Sequence, residues 1–82
     1  MTDFAQVELL FDEFLAQNGS ALIDSERQEI KEYVDFGEYG IALQFAVAIF
    51  REEKKVATAN EWSLIQRLAQ AMSIDSATLL MV

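Results

Sequence analysis

The chain has no cysteine, no histidine, no proline and only three glycines. Each of the first two absences removes a class of chemistry. Without Cys there is no disulfide scaffold, no thiolate nucleophile and no Cys-ligated zinc or iron–sulfur centre. Without His, the usual general base at neutral pH and the commonest metal ligand are both missing. Basic residues are also scarce. Six Lys and Arg stand against fourteen Asp and Glu, a formal net charge of −8. Such a chain is repelled by nucleic acid and anionic membranes and attracted to a basic partner. Long hydrophobic runs are lacking too: the longest, Ile41 to Phe50, is ten residues and contains Gln44. A bilayer span needs about 20. The start Met1-Thr2-Asp3 carries neither a basic nor an apolar leader pattern, so the expectation is a soluble cytoplasmic protein.

What is present is enough apolar material, 52 % of 82 residues, for one small core and one helical domain covering 1–82. The apolar periodicity is helical nearly throughout, with no low-complexity tract and no solenoid repeat. Phe4, Val7, Phe11 and Phe14 recur at three-four spacing, predicting a first helix from Thr2 or Asp3 to Gln17, whose three Phe suit the core better than an exposed binding stripe. Asp3 with Gln6 has capping-box spacing, and Asn18-Gly19 is a stop. A second helix follows, capped by Asp24 or Ser25, with Ser25 and Gln28 as a capping box and Ile30, Tyr33 and Val34 as a narrow apolar seam. Glu26, Glu29 and Glu32 make its other faces acidic, and Gly37 and Gly40 shape the turn after it. The third helix, Tyr39 to Lys54, is apolar almost all round and so central. Thr58-Ala59-Asn60-Glu61 is a capping box for a fourth helix presenting Trp62, Ile65, Leu68, Ala69 and Met72. Asp75 or Ser76 opens a last short turn. The predicted fold is a compact all-α bundle of four helices plus a short C-terminal helical turn.

The negative charge is concentrated. Residues 1–40 hold ten acids and two bases, whereas residues 41–82 hold four of each, so the whole excess lies in the first half. Folding can turn that asymmetry into an acidic face.

Few residues offer catalytic chemistry. Glu8 and Asp12, four apart, could share a proton or a metal, but solvated helix surface explains the same spacing. There is no calcium loop and no Gly-rich phosphate loop, and a bundle this small has little volume for a substrate cleft. The chain reads as a non-enzyme with no cofactor and no metal site. Acyl carrier proteins share its length and acidity, but they attach their prosthetic group to the Ser of an Asp-Ser-Leu sequence. Asp24-Ser25-Glu26 and Asp75-Ser76-Ala77 both lack the Leu, and both Ser suit helix caps. Tyr33 and Tyr39 bracket Asp35-Phe36-Gly37-Glu38. Aromatics interleaved with carboxylates fit a protein-binding surface, and equally a core edge with hydroxyls in water.

The segment from Val34 to Gln44, with Gly37-Glu38-Tyr39-Gly40-Ile41-Ala42-Leu43 at its centre, resembles the Gly-Glu-Tyr-Gly-(apolar)-Ala-Leu-Glu signature of small immunity proteins of the MafI/CdiI type. These belong to Maf and contact-dependent growth inhibition systems, including those whose toxins carry EndoU-type ribonuclease domains. The later stretch Ile65 to Asp75 is similar as well. Phe36 and Gln44 depart from the pattern. The resemblance implies a non-enzymatic inhibitor that binds a nuclease toxin domain. The charge agrees with it, because a nuclease groove that holds phosphates is basic. Glu29, Glu32, Asp35, Glu38 and Tyr39 are the candidate partner contacts, with Asp12 and Glu13 in reserve. The partner expected is a basic cognate toxin domain, with no nucleic acid and no membrane involved, and the oligomeric state is open. A small acidic adaptor that binds a basic protein without inhibiting it is the alternative, and an acyl-carrier-like protein is a more distant one.

Overall fold

The computed structural model describes residues 3–74. Within them the chain forms α1 (Phe4–Leu15), α2 (Asp24–Asp35), α3 (Tyr39–Glu52) and α4 (Ala59–Ala71), an all-α bundle. The expected C-terminal turn at Asp75 or Ser76 lies outside the described residues. The helices follow one another around a ring, with α1 against α2 and α4, and α3 against α2 and α4. Across the core α1 and α3 also meet through side chains, the Phe14 ring standing edge-on to Phe50 at 6.4 Å between centroids.

Helix starts follow from local hydrogen-bonding needs. The first N–H groups of a helix lack an intrahelical acceptor and must find one elsewhere. Asp3 Oδ1 accepts from the Ala5 and Gln6 N–H groups. The Gln6 side chain does not reciprocate, so only half of the expected box forms. Thr58 and Glu61 form the whole box: Thr58 Oγ1 accepts from the Glu61 N–H at 3.0 Å, and Glu61 Oε1 from the Thr58 N–H at 2.9 Å. At α2 the expectation needs correction. The N-cap is Ile23, not Asp24 or Ser25, and both of those already belong to the first turn. Ile23 has no acceptor to offer, and Glu26 does the work of Ser25 and Gln28 by accepting from the Ile23 N–H at 3.0 Å.

Helix ends depend on a residue that can take a positive φ. Gly37, at φ +76°, closes α2: its N–H reaches Val34 O and the Glu38 N–H reaches Tyr33 O at 2.8 Å, a Schellman arrangement. Gly40 takes no part in that turn. It lies inside α3 with nothing within 4 Å of where a Cβ would sit, so its smallness is not needed there. Lys54, at φ 54°, ends α3 two residues short of the expected boundary. Ser73, at φ 57°, ends α4 by the same arrangement as Gly37, with Ile74 N–H bonded to Ala69 O at 2.8 Å.

The core is drawn from all four helices and centres on Phe11, Phe14, Ile30, Leu43 and Leu68. Burying each such side chain contributes about 1.5–3 kcal/mol. Val7 and Leu10 complete the stripe on α1, but Phe4 does not join it. Phe4 is 57 % exposed and stacks on Tyr39 instead, at 5.4 Å between ring centroids. Position Phe4 fits the helical period. It misses the core because the first turn of α1 extends past the end of the packed layer. The helix α3 supplies six buried residues, yet Ile41, Gln44 and Arg51 keep one edge of it in solvent.

Candidate functional site

Nine of the ten acids before residue 41 are exposed. The exception is Glu26, which corrects its expected place on the acidic surface of α2. Its carboxylate is buried against Lys55, with Nζ 2.6 Å from Oε1. Loss of water pushes the Glu26 pKa up. The hydrogen bonds from Lys55, the Ile23 N–H and the Glu53 carboxyl, with the Lys55 charge, outweigh it and hold the group at about 2. Glu53 moves the other way, raised chiefly by its hydrogen bond to Glu26 and then by burial and by the Glu26 charge. Glu26 is therefore a structural tie between the start of α2 and the α3–α4 loop.

Glu29 and Glu32 lie on the open side of α2, and among the described residues neither has a salt bridge. Asp35 continues the same edge, because successive i, i+3 positions stay neighbours on a helix. Its charge is partly countered by Lys31, 3.6 Å away and equally exposed. Exposed pairs of this kind contribute about 0–1 kcal/mol and are easily exchanged for another partner. Glu38 is the N-cap of α3 but makes no capping bond, so its carboxylate points to no residue of its own helix. It is exposed, as is Phe36 two residues earlier, at 81 %.

Tyr39 is half-buried, and its hydroxyl donates to Glu8 Oε2 on α1 at 2.6 Å. That bond raises the Tyr39 pKa, with burial and the Glu8 charge adding to it. It also gives Glu8 a use that neither proton sharing nor metal binding requires. Among the described residues no group of acids is placed to hold a metal ion. Tyr33, the other bracketing aromatic, packs edge-on to Phe45 at 5.7 Å and belongs to the margin of the core.

Phe4, Tyr39, Ile41, Met72 and Ile74 line a groove of about 380 Å³, with Glu38 and the backbone of Gly37 and Gly40 completing it. The candidate residues thus fall into two neighbouring sets. Glu29, Glu32 and Asp35 form an acidic edge on α2. Glu38 and Tyr39 belong to an apolar groove around the α2–α3 turn, with Phe36 beside it. Phe4, Phe36 and Ile41 were not among the candidates. The sequence signal for Phe36 is its position between Asp35 and the helix-ending Gly37, in a turn where a large apolar side chain has no core to enter.

At the opposite end of α3 a second groove, about 330 Å³, is lined by Val47, Phe50, Arg51, Lys55, Ala57 and Trp62. Trp62 remains 38 % exposed there. A third, about 230 Å³, lies between α1 and α4 and carries Glu13 and Arg67. Among the described residues, no helix is long and apolar enough to cross a membrane. No family model matches the chain, and neither a curated protein nor a solved structure matches it.

Proposed function

We propose that this chain is an immunity protein, which binds a basic bacterial nuclease toxin domain through its acidic face and neutralises it in the cytoplasm. The supporting observation is the junction at the α2–α3 turn, where Glu32, Asp35 and Glu38 are all exposed within four residues of Phe36, itself 81 % exposed. Carboxylates steer a basic partner, and an aromatic that loses its water on contact slows release. Neither feature helps the fold: these carboxylates make no bond to the core, and Phe36 packs on little. In this reading the protein performs no catalysis and needs no cofactor. It acts by occupying a surface that a nucleic acid would otherwise use.

Co-expression with candidate nuclease toxin domains tests the activity, and growth rescue is the expected result. Changing Glu29, Glu32 and Asp35 together to Lys should slow association at low salt by about 10-fold or more and leave helicity unchanged. Rescue that survives the triple change, with an unaltered association rate, rules out this face. Binding to a basic protein without rescue would instead favour the adaptor reading.

A further inference from the structure

The α2–α3 turn and the groove around Trp62 have opposite characters. The turn offers one exposed aromatic, Phe36, between Asp35 and Glu38. The groove is apolar, and its two ionic side chains, Arg51 and Lys55, are both cationic. Three of the six basic residues of the chain, Arg51, Lys54 and Lys55, lie at this end of α3, interleaved with the exposed acids Glu52 and Glu53, which do not line the groove. Lys55 is engaged by Glu26, whereas Arg51 is exposed and, among the described residues, has no salt bridge. Trp62 and Ala57 place the N-terminal end of α4 beside the groove, and the positive end of a helix dipole also favours an anion there.

The turn and the groove sit at opposite ends of α3, whose 14 residues span about 21 Å. Between them runs the open edge of that helix. Ile41, Gln44, Ala48 and Arg51 follow one another at three-four-three spacing, so they share one face. Ile41 is 47 % exposed, Gln44 is exposed and Ala48 half-buried. On a molecule of net charge −8, an edge that is uncharged up to its last residue is unusual.

We infer that two copies of this chain associate with their α3 edges antiparallel, the Phe36 turn of each seated in the Arg51–Trp62 groove of the other. A twofold axis across the middle of α3 brings each turn to the opposite groove, so both contacts form together and the assembly closes at two copies. Asp35 and Glu38 then approach Arg51, and Gln44 and Ala48 pack without like-charge repulsion. The chain exposes 5134 Å² in all. A patch of about a tenth of that per copy falls near or below the lower limit for stable interfaces, so the association is weak and reversible. It also covers Phe36, which makes self-association and capture of a basic partner mutually exclusive.

Sedimentation equilibrium between about 10 and 500 µM tests this, with Trp62, the single tryptophan, reporting on the groove by its emission. The expected result is a monomer–dimer equilibrium with a dissociation constant of about 10–100 µM, accompanied by a change in Trp62 emission. Phe36→Ser and Arg51→Glu alter exposed side chains, and circular dichroism checks that each variant keeps its helicity. Each alone should abolish association over that range. An equimolar mixture of the two restores one turn–groove contact and should associate more than either variant by itself. A wild-type chain that stays monomeric overturns the inference. So does a dimer indifferent to both substitutions, or a mixture no more associated than its components.

Discussion

Glu61 is fully buried, and among the described residues no cation pairs with it. Two hydrogen bonds hold its carboxylate: Oε1 accepts from the Thr58 N–H at 2.9 Å, and Oε2 from the Ser20 hydroxyl at 2.5 Å. Ser20 Oγ in turn accepts from the Leu22 N–H at 3.1 Å. One side chain therefore caps α4 and pins the α1–α2 loop against it, across 41 residues of sequence. Glu61→Ala removes both bonds and one buried methylene along with the carboxylate. Hydrogen bonds to a charged group contribute about 1.5–3 kcal/mol each. Thr58 and Ser20 are both half-buried, so water partly replaces the lost acceptor and the lower end of that range applies. Adding the lost packing at ~0.8 kcal/mol per methylene gives a cost of about 3–4 kcal/mol. In a domain this size that lowers the melting temperature by about 12–30 °C. Glu61→Gln keeps the Thr58 acceptor but presents an amide NH₂ to a hydroxyl that needs an acceptor, and should cost about 1–2 kcal/mol. Urea denaturation followed by circular dichroism measures both. A double-mutant cycle with Ser20→Ala should show a coupling of about 1–2 kcal/mol. If Glu61→Ala costs less than about 1 kcal/mol, or the cycle shows no coupling, the carboxylate is not the tie described.

Two further outcomes follow from the caps and the buried ion pair. Glu26, depressed from 4.5 to about 2, contributes stability that is complete above its ordinary value and is lost as pH falls between those values. Lys55→Met should cost about 1–3 kcal/mol at neutral pH and flatten the acid limb of the stability profile, read from urea midpoints, whereas an unchanged limb would assign it to other carboxylates. Ser73 holds a positive φ that an L-residue tolerates poorly. Ser73→Gly should raise stability by about 0.5–1 kcal/mol and the melting temperature by a few degrees, and a fall in either measure would show that the serine side chain is needed.

The number of helices, the Thr58–Glu61 box, the Gly37 stop and most of the core were legible in the sequence because each rests on residues within one or two turns. The cap of α2 is not legible in the sequence for a related reason. Ser25 and Glu26 are both eligible by spacing, and what selects Glu26 is Lys55, a residue 29 positions away that no local pattern contains. The second role of Glu61 was hidden similarly, since Ser20 reads locally as a loop residue. Phe4 shows the limit of periodicity. It predicts which side of a helix faces inward, but not where along the helix the core stops. The acidic edge Glu29–Glu32–Asp35 was legible as charge, while the aromatic company of Glu38 and Tyr39 depended on how α1 and α4 meet the α2–α3 turn.

The groove beside Tyr39 is bounded on one side by Phe4 and on the other by Met72 and Ile74. The first turn of α1 and the residues just past α4 therefore line the same groove, and the described chain comes close to a closed loop of four helices. Its topology is nearly indifferent to where the backbone is cut. A linker carrying the chain from after α4 back to the start of α1, with new ends opened at the exposed Lys54, would leave every helix beside the same neighbours. The order in which the helices are encoded is thus a separable property from the surface they build together.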